Sequence, residues 1–322
     1  MWSRTLRRDP SLSGGYMKGY ELASDFLAKR LDPVMYAESI DLPFGDLYQW
    51  QKDVLSITQG NVCINGARQA GKSTIVSVVP CHKAKYCPGS LSIVIAPTLT
   101  QAGEDMEKIR SCVARDEMFP KMTRGNDSEL RFDNGSRIVV APATDAARGK
   151  SAPAVVILDE ASRIEDFVFS EVVLPMFTKS KRYLFLRIST PNGKKGFFYD
   201  DFNDEKVKRF EVRSPFDVSP ANNWTLIPAK PEDEYRREMA AKGIRAYYSP
   251  QHRDLDKQQA FLERMGKLRY EQEFCCQFVE PEDQVFSYAD IDAMFSTRAK
   301  PDNEDTLIAP PEEFSDAYGR VI

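Results

Sequence analysis

The sequence predicts an α/β fold: a mostly parallel sheet with helices on both faces, a β-hairpin insertion, and a small, mainly helical subdomain after it. Three observations carry this. From Cys63 onward, short runs that are apolar along their whole length alternate with helix-compatible stretches, the pattern of strands buried on both faces by crossover helices. Within that alternation, "ELRFDNGSRIVVAP" switches between apolar and polar residues about Asn134-Gly135, and Asn-Gly between two such runs is the strongest short-range hairpin signal. After about Arg213 the chain turns to "SPFDVSPANNWTLIPAKPED", and 232–267 then reads as helices without further β runs.

Taken in order, residues 1–45 form a polar, glycine-containing arm with one helix over 20–31. A short helix, "YQWQKDVL", leads into the first buried strand, "VCIN", and a helix over 72–85 follows it. The strand "LSIVIAP" with a helix over 101–115, the hairpin, and the strands "VVIL" and "YLFLRIST" complete a core assigned to 46–213. The helical subdomain is assigned to 214–295. The acidic, proline-bearing stretch 296–322 reads as a linker that closes on an apolar "GRVI".

Composition narrows the class without naming it. Lys and Arg number 44 against 48 Asp and Glu, for a net charge of -4, which is not the footprint of a protein gripping nucleic acid over one basic face. A local basic stripe within an acidic whole remains compatible with it. Six cysteines show no CxxC spacing and the only histidines are His82 and His252, so a structural zinc site is not expected and free thiols in a reducing compartment are. No apolar run approaches the roughly 20 residues needed to span a bilayer. The basic start, "MWSRTLRRDPSLSGGY", lacks the apolar stretch of a secretory signal.

The chemistry begins at "NGARQAGKSTI". Gly66, Ala67, Arg68, Gln69, Ala70, Gly71, Lys72 and Ser73 fit G-x-x-x-x-G-K-[ST] after a strand and before a helix, with Thr74 next. In that setting backbone N–H groups and a helix N-terminus hold phosphates. Lys72 reaches the β and γ phosphates of a nucleotide, and the Ser73 hydroxyl ligates Mg²⁺. "VVILDEAS" reads as a strand ending in a carboxylate pair, a Walker B element. Asp159 would hold Mg²⁺ through water and Glu160 would act as general base toward the attacking water. "ISTPNG" ends the next strand, where Ser189 and Thr190 could sense the γ-phosphate and couple hydrolysis to motion. Gln51 is the candidate to meet adenine, with Tyr48 or Trp50 near the base; the same helix could equally bury Trp50, Val54 and Leu55. Lys179, Lys181, Arg182, Lys194 and Lys195 flank the last strand and could face a phosphate backbone, or be a solvated basic loop.

This constellation resembles the large terminase subunit of tailed bacteriophages, the ATPase that drives double-stranded DNA into procapsids. The resemblance spans roughly residues 45–290. It rests on the aromatic-x-x-Gln helix, Arg68 inside the P-loop, the "DNG" hairpin, "ARGKSAP" leading into "VVILDEAS", "STPNG", and the terminal "YEQEFCCQFVEPEDQVF". It implies an additional-strand, RecA-like P-loop NTPase with a small lid, using ATP and Mg²⁺. It also implies an arginine finger: Arg68 in cis, or Arg148 reaching a neighbour's ATP in trans. The partners implied are double-stranded DNA, the portal protein, the small terminase subunit and copies of the chain itself. These copies would form a ring, a pentamer, on the procapsid in the host cytoplasm, with the isolated chain a monomer and no membrane involved. The family's C-terminal nuclease domain carries a carboxylate cluster. Only about 35 residues follow "QFVEPEDQVF", so nuclease activity is not expected here and Asp290 and Asp292 read as surface acids. Two other readings stay open from the residues alone: a superfamily 2 helicase-like ATPase fragment, and a non-catalytic nucleotide-sensing scaffold.

Overall fold

The computed structural model describes residues 10–42, 45–144, 152–219 and 224–280. Arg148, Asp290, Asp292 and the assigned linker lie outside these residues. Helices α1 (Pro10–Leu31) and α2 (Pro33–Ser39) open the chain, separated by Asp32, whose carboxylate accepts the Val34 N–H at 2.8 Å and caps α2. Helix α3 (Gln49–Leu55) precedes β1 (Gly60–Gly66), and α4 (Lys72–Tyr86) follows the phosphate-loop sequence. Next come β2 (Leu91–Ala96) and α5 (Leu99–Ala114), whose Thr98 side chain caps its first turn through the Gln101 N–H.

A three-stranded antiparallel excursion follows: β3 (Met122–Asn126), β4 (Glu129–Phe132) and β5 (Arg137–Pro142). The expected hairpin turns at Asn134-Gly135, where Gly135 takes φ of +81° and Phe132 N–H reaches the Ser136 carbonyl. Strand β6 (Val155–Asp159) leads to short helical turns, α6 (Asp166–Val168), one π turn (Phe169–Val173) and α7 (Leu174–Met176), before β7 (Leu184–Ser189). Helix α8 (Phe197–Asn203) and β8 (Lys208–Arg213) complete the segment assigned as core.

The sheet runs on past that point. Beyond β8 lie a two-stranded hairpin, β9 (Phe216–Ser219) with β10 (Thr225–Pro228), then α9 (Glu232–Ala241), β11 (Ile244–Tyr248), α10 (Leu255–Met265) and α11 (Lys267–Glu273). The reading of 232–267 as helices without β runs is therefore corrected. Strand β11 pairs in parallel with β8 and forms one edge of the main sheet. Its five residues place Ile244 and Ala246 inward and Arg245 outward, a pattern too short to stand out between two helices.

The nine-stranded sheet has the order β11-β8-β1-β7-β6-β2-β5-β4-β3, parallel except for β4, which runs antiparallel to both of its neighbours. Strand β7 lies between β1, which feeds the phosphate loop, and β6, which ends in the carboxylate pair; this is the additional strand. Alternate residues feed two cores. Val62, Ile64, Val94 and Ile157 share one core with the buried residues of α4 and α5, and Cys63, Ile93, Ile95 and Leu158 share the other with Phe197, Phe198 and Phe202 of α8. A third, small cluster joins Phe216, Leu226, Leu262, Tyr270 and Phe274 beneath the β9–β10 hairpin. The arm is more integrated than expected. Tyr36 is fully buried against His82 and Tyr86 of α4, and His82 Nε2 meets the Lys29 carbonyl oxygen at 3.0 Å. No described helix is long and apolar enough to cross a membrane.

Candidate functional site at the carboxyl ends of the central strands

In a parallel sheet, ligands settle beyond the carboxyl ends of the strands, where loops leave toward opposite faces. Strands β1, β6 and β7 all end there, and they bring most of the sequence-assigned residues together. The loop from Gly66 to Ser73 is pinned on two sides: Ala67 N–H donates to the Val212 carbonyl of β8 at 2.7 Å, and Arg68 N–H to the Glu273 carbonyl of α11 at 2.8 Å. Gln69 at φ +59° and Gly71 at φ +92° put positive-φ residues into the turn, the kind of backbone that gathers N–H groups into an anion-binding concavity. Gly66 leaves room for the lysine, since a Cβ there would meet Lys72 Cδ at 3.0 Å.

Lys72 is buried and folds back over the loop. Its ammonium donates to the carbonyls of Gly66 at 2.9 Å and Ala67 at 3.1 Å and to Thr190 Oγ1 at 3.2 Å, which uses all three of its hydrogens. Thr190 therefore touches the phosphate-loop lysine, and Ser189 Oγ lies 3.4 Å from Glu160 Oε2 and 2.8 Å from Ser162 Oγ. The Thr190 carbonyl, 2.8 Å from the same hydroxyl, is a third acceptor, and with a single hydrogen Ser189 can donate to only one of the three at a time. Glu160 itself stands at φ +47°, ψ +45°, a left-handed conformation that a side chain with a Cβ adopts at a cost of about 1–3 kcal/mol and that concentrates at functional sites.

Asp159 is held up to about 8, first by burial, then by the Asp105 and Glu160 carboxylates, against the opposing pull of Lys72 and Lys108. The sequence reading missed Asp105 and Lys108. Both lie on α5, where Asp105 is 1% exposed, and Lys108 Nζ bonds Asp105 Oδ1 and Ser73 Oγ, each at 3.3 Å. A signal for Asp105 existed: Ala102, Met106, Ile109 and Cys112 are the buried stripe of α5, and position 105 falls on it. The oxygen-only donors at this point, the Ser73 hydroxyl and the Asp159 carboxylate in a pocket crowded with negative charge, fit a hydrated Mg²⁺. Among the described residues no group of three or more His, Cys, Asp or Glu could hold a metal ion by itself. That is no objection to an ion that keeps several waters.

The helix ahead of β1 acts on the loop. Gln51 is buried, its Nε2 donates to the Gly71 carbonyl at 2.9 Å, and its Oε1 accepts the Tyr48 N–H at 2.8 Å. Trp50, one of two candidates to lie near a base, is 1% exposed in the core, as the alternative reading of the same helix has it. Tyr48 is half-buried, lies against Gly71 and accepts a hydrogen bond from Gln251 Nε2 at 3.1 Å.

Arg68 extends outward with its side chain 59% exposed, and its Nη1 is 3.8 Å from the buried Glu273 carboxylate, which Arg163 Nη2 approaches to 3.9 Å from the other side. Neither Glu273 nor Arg163 was singled out from sequence; they are 205 and 95 positions from Arg68, and no local pattern links them. The basic residues flanking β7 divide. Lys179, Lys181 and Arg182 are exposed ahead of its start, and Lys194 and Lys195 are exposed beyond its end. Six residues of strand, roughly 20 Å, separate the two groups, so they do not make one patch.

With this geometry in hand, the comparisons are specific. Two solved structures of the Thermus phage P74-26 large terminase ATPase domain, one an arginine-to-alanine mutant, share 23% identity with this chain. They match over 73% of it and 94–95% of their own length, at TM-scores of 0.53 and 0.54. The HK97 bacteriophage large terminase matches at a TM-score of 0.53 and 12% identity, over 76% of this chain and 54% of its own. At these identities the likeness establishes the fold. No curated protein matches the sequence. The sequence profile of the family described as terminase large subunit, T4likevirus-type, N-terminal, matches residues 63–293, most of the chain. The chain belongs to that terminase large-subunit family.

Proposed function

We propose that the chain is the ATP-hydrolysing motor part of a terminase large subunit and powers translocation of double-stranded viral DNA into a procapsid. The observation that carries the reading is the meeting of Lys72, Ser73, Asp159, Glu160 and Thr190 at the ends of three adjacent strands. The phosphate loop would take the nucleotide's phosphates on its backbone N–H groups, and Lys72 would exchange its carbonyl acceptors for phosphate oxygens. Bound Mg²⁺, held by Ser73 and through water by Asp159, would neutralise charge on the phosphates. Glu160 would take a proton from the attacking water, and Ser189, whose one hydrogen can go to Glu160, Ser162 or the Thr190 carbonyl, would register the change. Tyr48 is the aromatic left beside the loop for a base. Double-stranded DNA, the portal, the small subunit and a pentameric ring of copies in the host cytoplasm are partners and setting proposed on family membership.

The test is steady-state ATP hydrolysis against protein concentration for the wild type, Arg68→Ala and Arg148→Ala. A rate per subunit that rises with concentration, is abolished by Arg148→Ala and is rescued by mixing with Glu160→Ala assigns the finger to Arg148 in trans. A rate independent of concentration and lost only with Arg68→Ala assigns it to Arg68 in cis. Nucleotide binding with no hydrolysis under any condition, DNA and portal included, would overturn the motor reading in favour of a nucleotide-sensing scaffold.

A further inference from the structure

Helix α5 carries a pair of residues that the proposed reaction leaves unused. Lys108 Nζ bonds Ser73 Oγ at 3.3 Å, the oxygen that the reading above assigns to Mg²⁺, and also bonds Asp105 Oδ1 at 3.3 Å. Asp105 is 1% exposed and its Oδ2 has no hydrogen-bond partner. The neighbour of Asp105 is the Asp159 carboxyl, which, once ionised to hold a cation, has no hydrogen to offer Asp105.

A lysine and an aspartate three apart on a helix are commonly a surface ion pair worth a few tenths of a kcal/mol. This pair differs in two respects. The acid is buried on the apolar stripe of α5, where an unpaired oxygen is costly. The base reaches off its own helix to the hydroxyl of the phosphate loop. An ammonium and a dication would compete for Ser73 Oγ, and a buried carboxylate oxygen lacking a donor is matched by the waters of a hydrated cation, which are strong donors.

We propose that Asp105 and Lys108 form a metal-exchange pair: Asp105 Oδ2 accepts from the water shell of the Mg²⁺ that enters beside Ser73 and Asp159, and Lys108 competes with that ion for Ser73. Asp105 is a positioning residue that acts through water. The inference rests on the assignment of Ser73 and Asp159 to the metal.

The experiment reads binding, not turnover. Affinity for fluorescent ADP is measured with EDTA and with Mg²⁺, and the ratio of the two affinities isolates the metal. Asp105→Asn is expected to lower this ratio about tenfold, the usual effect of an outer-shell partner, and to leave the EDTA affinity unchanged. Lys108→Met, at a partly exposed position, is expected to raise the ratio. Ser73→Ala serves as the control and is expected to lower it. If Ser73→Ala lowers the ratio while Asp105→Asn or a folded Lys108→Met leaves it at the wild-type value, the pair is structural and the proposal falls alone. If Ser73→Ala also changes nothing, the metal assignment falls and the proposal with it. Should Asp105→Asn fail to fold, the Lys108→Met ratio decides by itself.

Discussion

Gln51 Nε2 donates to the carbonyl of Gly71 at 2.9 Å, twenty residues away in sequence. The other end of the same amide accepts the Tyr48 N–H, so the side chain ties the start of α3 to the last turn of the phosphate loop. Gln51→Ala removes both bonds from a buried setting and should lower stability by about 1–3 kcal/mol. Affinity for ATP and GTP should fall together, because the residue shapes the loop that holds phosphates. Titration of both nucleotides checks this; a loss confined to ATP would mean that Gln51 reads adenine.

Gly71→Ala should be more damaging than its one methyl suggests. The position has φ of +92°, and a Cβ there would stand 2.8 Å from Gln51 Nε2. The left-handed backbone alone costs a non-glycine residue about 1–2 kcal/mol. Loss of measurable nucleotide binding in a protein whose circular dichroism is unchanged is the expected result.

Glu160→Gln keeps the shape of the side chain and removes its basicity. Turnover should drop about 10²–10⁴-fold with nucleotide affinity within a few fold of wild type. Rapid-quench measurement on a preformed ATP complex separates the two quantities.

The centre of β7 holds a buried charge. Arg187 is 3% exposed, pairs with Asp201 Oδ2 at 2.8 Å and lies over the Phe185 ring at 4.5 Å. Asp201→Ala would strand the guanidinium inside the protein and should cost about 3–5 kcal/mol in urea unfolding. Replacing both partners, Arg187→Met with Asp201→Leu, should recover most of that loss.

Asp159 gives the fold a pH dependence of known sign. Its carboxyl is held up to about 8 in the folded chain and near 3.9 when unfolded. Across that interval the folded state binds the extra proton, so this contribution to stability falls as pH rises from about 4 to 8. Asp159→Asn lacks it. The stability of the variant relative to wild type should therefore climb with pH, by at most about 1.4 kcal/mol per pH unit, and level off above pH 8. Urea midpoints at pH 5, 6.5 and 8.5 measure it; a relative stability that does not change with pH would contradict the assignment.

What was legible in the sequence was local. Strands buried on both faces, the Asn134-Gly135 turn and the phosphate loop each show themselves within a dozen residues, because periodicity and turn chemistry act at that range. Strand β11 did not, since five residues at a sheet edge carry little pattern and its place is decided by pairing with β8. Trp50 and Gln51 illustrate the limit at a single helix turn: the motif was visible, yet which residue faces the core and which the loop depends on what α3 packs against. Asp105 was readable as an acid on an apolar stripe. Glu273 was not, because its approach to Arg68 is a product of the whole chain's path.

The two pins on the phosphate loop make adjacent amides into separate reporters. The Ala67 N–H is bonded to β8 and the Arg68 N–H to the end of α11. Hydrogen exchange at Ala67 requires the loop to part from β8, inside the main sheet between β11 and β1, whereas at Arg68 it requires only α11 to part from the loop. If a nucleotide slows exchange at Arg68 and leaves Ala67 as it was, the signal of binding has travelled outward to α11 and not inward to the sheet. One peptide bond thus separates an amide that reports on the sheet from an amide that reports on α11.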